Sequence, residues 1–329
     1  MAPILPPFVK TLPERVGRVS LPTPFGAGRL NCYLLLDRPI TVLDPGALLP
    51  GSLDQIEAAL GAEGLRVQDV EQIVVTHAHS DHFGAAATLA ARSGAPIVCG
   101  SPEVPSLIAP RDPSPRRELL VALGVPAATA AELVEVGDAE FERAVTRPDP
   151  SIIKGVSDGE LLTAGGRQLA CLISPGHAVG HLSLWDPADR ALFSGDHLLA
   201  RIIPVPSLDG RDLATRRRSF LEYLDGLTRF VALDPAVVLP GHGRAFAKLG
   251  MLADRTRSHS RRRADEIAAI LAGGPATPFE IAGRLQGQPE GGRLVLGIQH
   301  TQGHLDLLER DGRMIAQTAG EVARYRLRT

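Results

Sequence analysis

The sequence predicts a mixed α/β chain with a layered core and a small C-terminal module. Three observations carry that reading. From Arg29 to about Leu252, short apolar strands alternate with helical patterns, as helices laid on sheets require. Residues 106–147 interrupt this rhythm with prolines and then Ala- and Leu-rich helical sequence. Beyond His259 three helical patterns and a hairpin pattern follow, which suggests a winged-helix module. The expected division is residues 1–255, with a helical insertion at about 106–147, and residues 256–329.

Each element has a local reason. Residues 1–24 hold six prolines and no charged stretch followed by an uninterrupted apolar run, so they do not read as a signal peptide. The runs Cys32–Leu36, Ile40–Leu43, Ile73–Val75, Pro96–Cys99, Leu169–Ile173 and Ala191–Phe193 read as buried strands. Phe83 to Ala87 reads as the start of a helix, and Arg117–Leu123 and Ala127–Val134 as helices of the insertion. Arg261–Leu271 is an amphipathic helix pattern. Thr277 is an N-cap with Pro278 at the first helical position, and a third helix runs from about Gly292 to Arg310. Asp311-Gly312 then turns the chain into strands Met314–Gln317 and Ala323–Leu327.

Bulk properties narrow the function. With 329 residues and 44% hydrophobic content the chain can build a substantial core, and its net charge of −2 excludes an overall basic nucleic-acid binder. Cys32, Cys99 and Cys171 are odd in number and widely spaced, which fits small core residues in a reduced compartment. No apolar run reaches about 18 residues, so no membrane span is expected and a cytoplasmic protein is. The runs Arg216–Arg218 and Arg261–Arg263 read as solvated faces.

Chemistry concentrates in four motifs. Thr76-His77-Ala78-His79-Ser80-Asp81-His82 lies on a strand-to-helix loop, and three histidines and an aspartate in six residues form a metal-ligand cluster. Ser174-Pro175-Gly176-His177-Ala178-Val179-Gly180-His181, Ser194-Gly195-Asp196-His197 and Leu239-Pro240-Gly241-His242-Gly243 follow at strand ends. Five histidines and two aspartates exceed the ligands of one catalytic zinc, so two metals are the natural reading. His300 and His304, four apart on a helix, lack a nearby third ligand and read as structural.

The order HxHxDH, His, Asp, His resembles the metallo-β-lactamase-fold hydrolases over about residues 20–250. That resemblance implies an αββα sandwich with the site at one edge. By position, His77, His79 and His177 would hold one divalent metal and Asp81, His82 and His242 the other, with Asp196 bridging. Zinc is the expected metal, and the same ligands accept iron or manganese. Asp44 matches the family's early aspartate and is expected to orient a ligand. His181 is expected to touch substrate or support the ligands, and His197 to support or pack. Two cations about 3.5–4 Å apart would activate a bridging hydroxide, with Asp81 and Asp196 receiving the proton.

Substrate is read from the surroundings. The Asp-His pair at Asp81-His82 and the aspartate at Asp196 argue against a class B β-lactamase, and the 45 residues between Asp196 and His242 are too few for the inserted domain of RNA-processing members. Ser-Pro-Gly-His-x-x-Gly-His looks like the motif of hydroxyacylglutathione hydrolases, and the apolar insertion near Leu119 to Val134 could cover an acyl chain. Hydrolysis of an acyl-CoA or acyl-glutathione thioester is favoured. The alternatives are a lactone hydrolase and a lactamase-β-like endoribonuclease or phosphodiesterase acting on RNA, since the tail from Arg255 has 12 arginines against 8 acidic residues. A silent binding protein would need a damaged ligand set, and every position is filled. A homodimer through insertion or tail is compatible with the pattern.

Overall fold

In a computed structural model, which describes residues 6–24, 28–319 and 322–328, the chain opens with β1 (Val16–Leu21), β2 (Leu30–Leu35) and β3 (Thr41–Leu43). Helix α1 (Ser52–Ala62), β4 (Gln72–Val75), α2 (Ser80–Phe83), α3 (Ala86–Ser93) and β5 (Ile97–Gly100) follow. The insertion supplies α4 (Val104–Ile108), α5 (Pro113–Ala122) and α6 (Ala127–Arg143). Next come β6 (Ile153–Val156), β7 (Leu161–Ala164), β8 (Arg167–Ile173), β9 (Leu182–Asp186) and β10 (Ala191–Gly195). Helix α7 (Ser219–Leu233) and β11 (Val237–Pro240) lead to the tail, built from α8 (Leu249–Leu271), α9 (Pro278–Gln286), α10 (Gly291–Arg310), β12 (Met314–Ala319) and β13 (Val322–Leu327).

Among the described residues, β1 to β6 form one sheet in chain order, antiparallel up to β3 and parallel from β3 to β6. A second sheet runs β11-β10-β9-β8-β7, with only the β10–β11 pair parallel. Strand periodicity explains the layering. On β2, β4 and β5 the residues Cys32, Leu34, Ile73, Val75, Ile97 and Cys99 join a core with Ile56, Leu60 and Leu89 of α1 and α3. Their alternates Tyr33, Leu35, Val74 and Val98 face Leu169, Cys171, Leu184 and Phe193 of the second sheet. Strands buried on both faces read as continuous apolar runs, and these do. The result is the expected four-layer helix, sheet, sheet, helix architecture. All three cysteines are buried thiols, and burial pushes Cys99 up to about 12.

Two compact units divide the chain differently from the boundary expected at residue 255. One comprises Met1–Pro110, Glu140–Pro204 and Leu227–Leu252; the other comprises Arg111–Ala139, Val205–Gly226 and Ala253–Thr329. The insertion and tail therefore belong together. In that second unit Leu119, Leu120, Leu123 and Val134 are buried with Ala282, Leu294 and Ile298 of α9 and α10. The apolar face expected to cover an acyl chain is instead consumed in this core. Thr277 caps α9 as expected, its hydroxyl accepting from Glu280 N–H while the Glu280 carboxylate accepts from Thr277 N–H. Arg216 departs from the expected solvated face: its side chain is buried in a paired bond to the Asp306 carboxylate, which also accepts from Gln302 at 2.9 Å. No helix among the described residues is long and apolar enough to cross a membrane.

Candidate metal centre

Five strands of the first unit deliver the site from their carboxyl ends. β3 leads to Asp44, β4 to Thr76 and His77, β8 to His177, β10 to Asp196 and β11 to His242. His79 occupies the N-cap of α2, whose first turn presents Asp81 and His82. The helix expected to start over Phe83 to Ala87 is instead two pieces: α2 begins earlier, at Ser80, and stops at Phe83, and α3 starts at Ala86.

The seven expected ligands come together in overlapping groups. His77 Nε2 and His177 Nε2 lie 2.8 and 3.0 Å from His79 Nδ1. His242 Nε2 lies 3.3 Å from Asp81 Oδ2. Asp196 Oδ2 stands between these sets, 3.8 Å from His177 Nε2, 3.5 Å from His82 Nε2 and 3.4 Å from His242 Nε2. Gly241 permits this approach, because a Cβ there would meet Asp196 Oδ1 at 2.5 Å. Three groups could each hold a metal ion: His77-His79-His177, His77-His82-Asp196 and Asp81-His82-His242.

The surrounding hydrogen bonds fix which ring nitrogens face inward. Asp44 accepts from Thr76 N–H, Thr76 O–H and His82 Nδ1–H, each at 2.8 Å. Having given its proton to Asp44, the Thr76 hydroxyl accepts from His77 Nδ1–H at 3.0 Å. His242 Nδ1–H donates to the Arg29 carbonyl at 3.1 Å. In the neutral ring each bond turns Nε2 inward as the free lone pair, the tautomer a metal ligand needs when the ion takes the place of a proton. His82 Nε2, His242 Nε2 and Asp196 Oδ1 are buried and lack hydrogen-bond partners among the described residues. Converging lone pairs, two carboxylates and orphaned buried acceptors fit divalent cations and little else.

Charge in the site follows the same logic. Burial opposes protonation of His82, but the carboxylates of Asp196, Asp44 and Asp81 overcome it and hold the imidazole well above its ordinary range. Burial and neighbouring imidazoles push His77 well below that range. Against burial, His82 and His242 hold Asp196 below the usual carboxylate range, and the same two imidazoles lower Asp81. Both aspartates are therefore ionised at neutral pH and can serve as cation ligands.

The remaining expected residues stand behind the ligands. His181 is fully buried, its Nδ1 2.9 Å from Ser174 Oγ and its Nε2 accepting Asp196 N–H at 3.1 Å. Both ring nitrogens are thus engaged with the protein, and His181 supports the Asp196 turn. His197 sits with Nδ1 3.1 Å from the Ser174 carbonyl and its ring 5.1 Å from Phe230. His300 and His304 belong to the other unit and join no ligand group among the described residues. Sequence reasoning missed three supports. Asn31 Nδ2 donates to the carbonyls of Pro240 and Gly243, each at 2.9 Å, and so holds the His242 loop; Thr76 relays Asp44 to His77; Glu103 bonds two ligand-bearing loops. None lies in a repeating pattern, and only Thr76, adjacent to His77, had a signal in its position.

Comparison with known proteins agrees with this fold. A family model of the metallo-beta-lactamase superfamily matches residues 26–242. A Bacillus subtilis protein named "Probable metallo-hydrolase YqjP" is 28% identical over 322 residues, 95% of this chain and 98% of its own length. "Thioesterase pkgB" of Emericella nidulans is 32% identical over 125 residues, 38% of this chain and 33% of its own. The crystal structure of a beta-lactamase domain protein from Burkholderia ambifaria superposes with a TM-score of 0.81 over 98% of both chains, at 23% identity.

Proposed function

From the premise that the chain belongs to the metallo-β-lactamase superfamily, we propose that this hydrolase works with two divalent metals on an acyl thioester of an anionic carrier, of the acyl-CoA or acyl-glutathione type. The observation that carries the two-metal reading is Asp196 Oδ2, within 3.4–3.8 Å of imidazoles from both ligand groups. His77, His79 and His177 would hold one ion, Asp81, His82 and His242 the other, and Asp196 both. Bound there, zinc, iron or manganese would supply an activated water and a Lewis acid for a developing oxyanion. The chain's own residues orient and handle protons. Asp44 sets the tautomers of His77 and His82, His181 fixes the Asp196 backbone, and the ionised carboxylates of Asp81 and Asp196 are the groups that take up the proton.

Two observations favour a thioester with an anionic carrier. The partial likeness to a protein named a thioesterase is one. The other is a pair of exposed arginines in the segments following Asp196 and His242: the guanidinium carbons of Arg201 and Arg244 lie 5.8 and 5.6 Å from the centroid of the Phe8 ring. Neither arginine has an ion pair among the described residues, so phosphate or carboxylate groups of a carrier would find two cations held on one ring without an anionic partner. Three buried thiols suit a reduced, cytoplasmic setting.

The test measures metal content and hydrolysis together. The wild-type protein should bind two ions, and Asp196→Ala or His242→Ala fewer; unchanged content in both removes the two-metal reading. A panel of acyl-CoA and acyl-glutathione thioesters, lactones, phosphodiesters and single-stranded RNA is then run with chelated and metal-restored protein. Thioester cleavage should vanish on chelation, and Arg201→Ala or Arg244→Ala should each raise KM about tenfold with kcat little changed, the loss of roughly one charged contact. Metal-dependent RNA cleavage without thioesterase activity would overturn the substrate assignment.

A further inference from the structure

Glu103 ends the 3-10 turn Ser101–Glu103 after β5 and is 3% exposed. Its Oε2 accepts the Ala78 N–H at 2.9 Å, and its Oε1 accepts the Gly180 N–H at 2.7 Å. Ala78 lies between His77 and His79, and Gly180 between His177 and His181. One carboxylate therefore grips both loops that carry the imidazoles of the His77-His79-His177 group. The two bonds fall on neither α2, which carries Asp81 and His82, nor the loop of His242.

Packing around this fork leaves no slack. A Cβ on Gly180 would sit 2.8 Å from the Glu103 backbone nitrogen, and one on Gly100 would sit 2.1 Å from the Gly180 carbonyl oxygen. The chain reserves two glycines for the approach that lets the carboxylate reach both loops. The same loops are already tied by Leu182 N–H to the Thr76 carbonyl at 2.7 Å, so cohesion alone does not call for a second tie. A buried carboxylate is costly unless its oxygens are satisfied. Its forked geometry does what one backbone bond cannot: it fixes the separation and tilt of the two loops together.

We propose that Glu103 is a positioning residue for one metal only, presetting the His77-His79-His177 site before an ion arrives. This rests on the two-metal reading above. Affinities are measured by chelator competition in two backgrounds that each keep one group, His242→Ala and His79→Ala. In Glu103→Gln one oxygen still accepts an N–H, while the new NH2 confronts the other donor. That variant should weaken metal binding about tenfold or more in the His242→Ala background, the usual scale for a supporting group, and less than about threefold in the His79→Ala background. Equal losses in both backgrounds, or none in either, overturn the proposal; a wild-type protein that binds fewer than two ions refutes the two-metal reading instead. Amide exchange in the metal-free wild-type chain tests the same idea without a variant. The Ala78 and Gly180 amides should exchange slowly before metal is added, and fast exchange at both overturns the presetting role.

Discussion

Asp44 has a backbone φ of 54°, in the left-handed region that aspartate tolerates better than most side chains. The strained position sits at the end of β3, where its carboxylate reaches two donors of Thr76 and one of His82. Asp44→Asn keeps the backbone preference but turns one acceptor into a donor, facing Thr76 or His82. Metal affinity should drop about 10- to 100-fold while the metal-free chain stays folded, read by chelator competition beside thermal unfolding. An affinity equal to wild type would remove the role assigned to Asp44. The ligands and Asp44 were legible because each occurs in a short motif with a fixed spacing. Asn31 and Glu103 were not, because their partners lie 209 and 77 residues away in the chain, at Pro240 and Gly180.

Elements with strong local signals were readable within a few residues. Apolar runs announced β2, β4 and β5, and Thr277-Pro278 announced α9. β1 was hidden because its sequence, VGRVSL, lies among prolines and mixes polar with apolar positions. Helix α10 was expected, and its histidines carry a pH dependence. His304 is buried, with Nδ1 donating to the His300 carbonyl at 2.7 Å, Nε2 without a hydrogen-bond partner among the described residues, and the ring 4.7 Å from Phe220. Burial, with the nearby charges of His300, His259 and Arg263, pushes it down to about 4. The folded value lies below the unfolded value of about 6.5. Stability is therefore complete above pH 6.5 and falls as pH drops toward 4, where the unfolded chain takes a proton the folded one refuses, by about 3 kcal/mol at most. His304→Leu should flatten the decline by about one proton. Urea midpoints between pH 7 and 4 check this as a difference between the two chains; parallel curves would defeat it.

At the scale of the whole molecule, the unit built from insertion, residues 205–226 and tail was the least legible feature. Periodicity tells which face of a helix is buried but not which distant segment buries it. Leu119 and Leu120 of α5 therefore read equally well as a substrate cover or as core. The structure resolves that choice by packing them with Ala282, Leu294 and Ile298. The buried Arg216–Asp306 pair and the Tyr325 hydroxyl donating to Gln302 at 3.1 Å tie residues 205–226, α10 and β13 into the same unit. A cut at residue 255, where the sequence texture changes, would thus remove one side of a core and strand Arg216 without its carboxylate. Each uncovered leucine forfeits about 2 kcal/mol of burial, and an unpaired buried charge costs about 3–5 kcal/mol. Residues 1–255 alone should consequently be insoluble, or soluble with strong binding of a hydrophobic dye and a broadened unfolding transition, even though every metal ligand is retained. The outcome that would contradict this unit is a 1–255 fragment that is monomeric, silent to the dye, cooperatively unfolding and loaded with two metals.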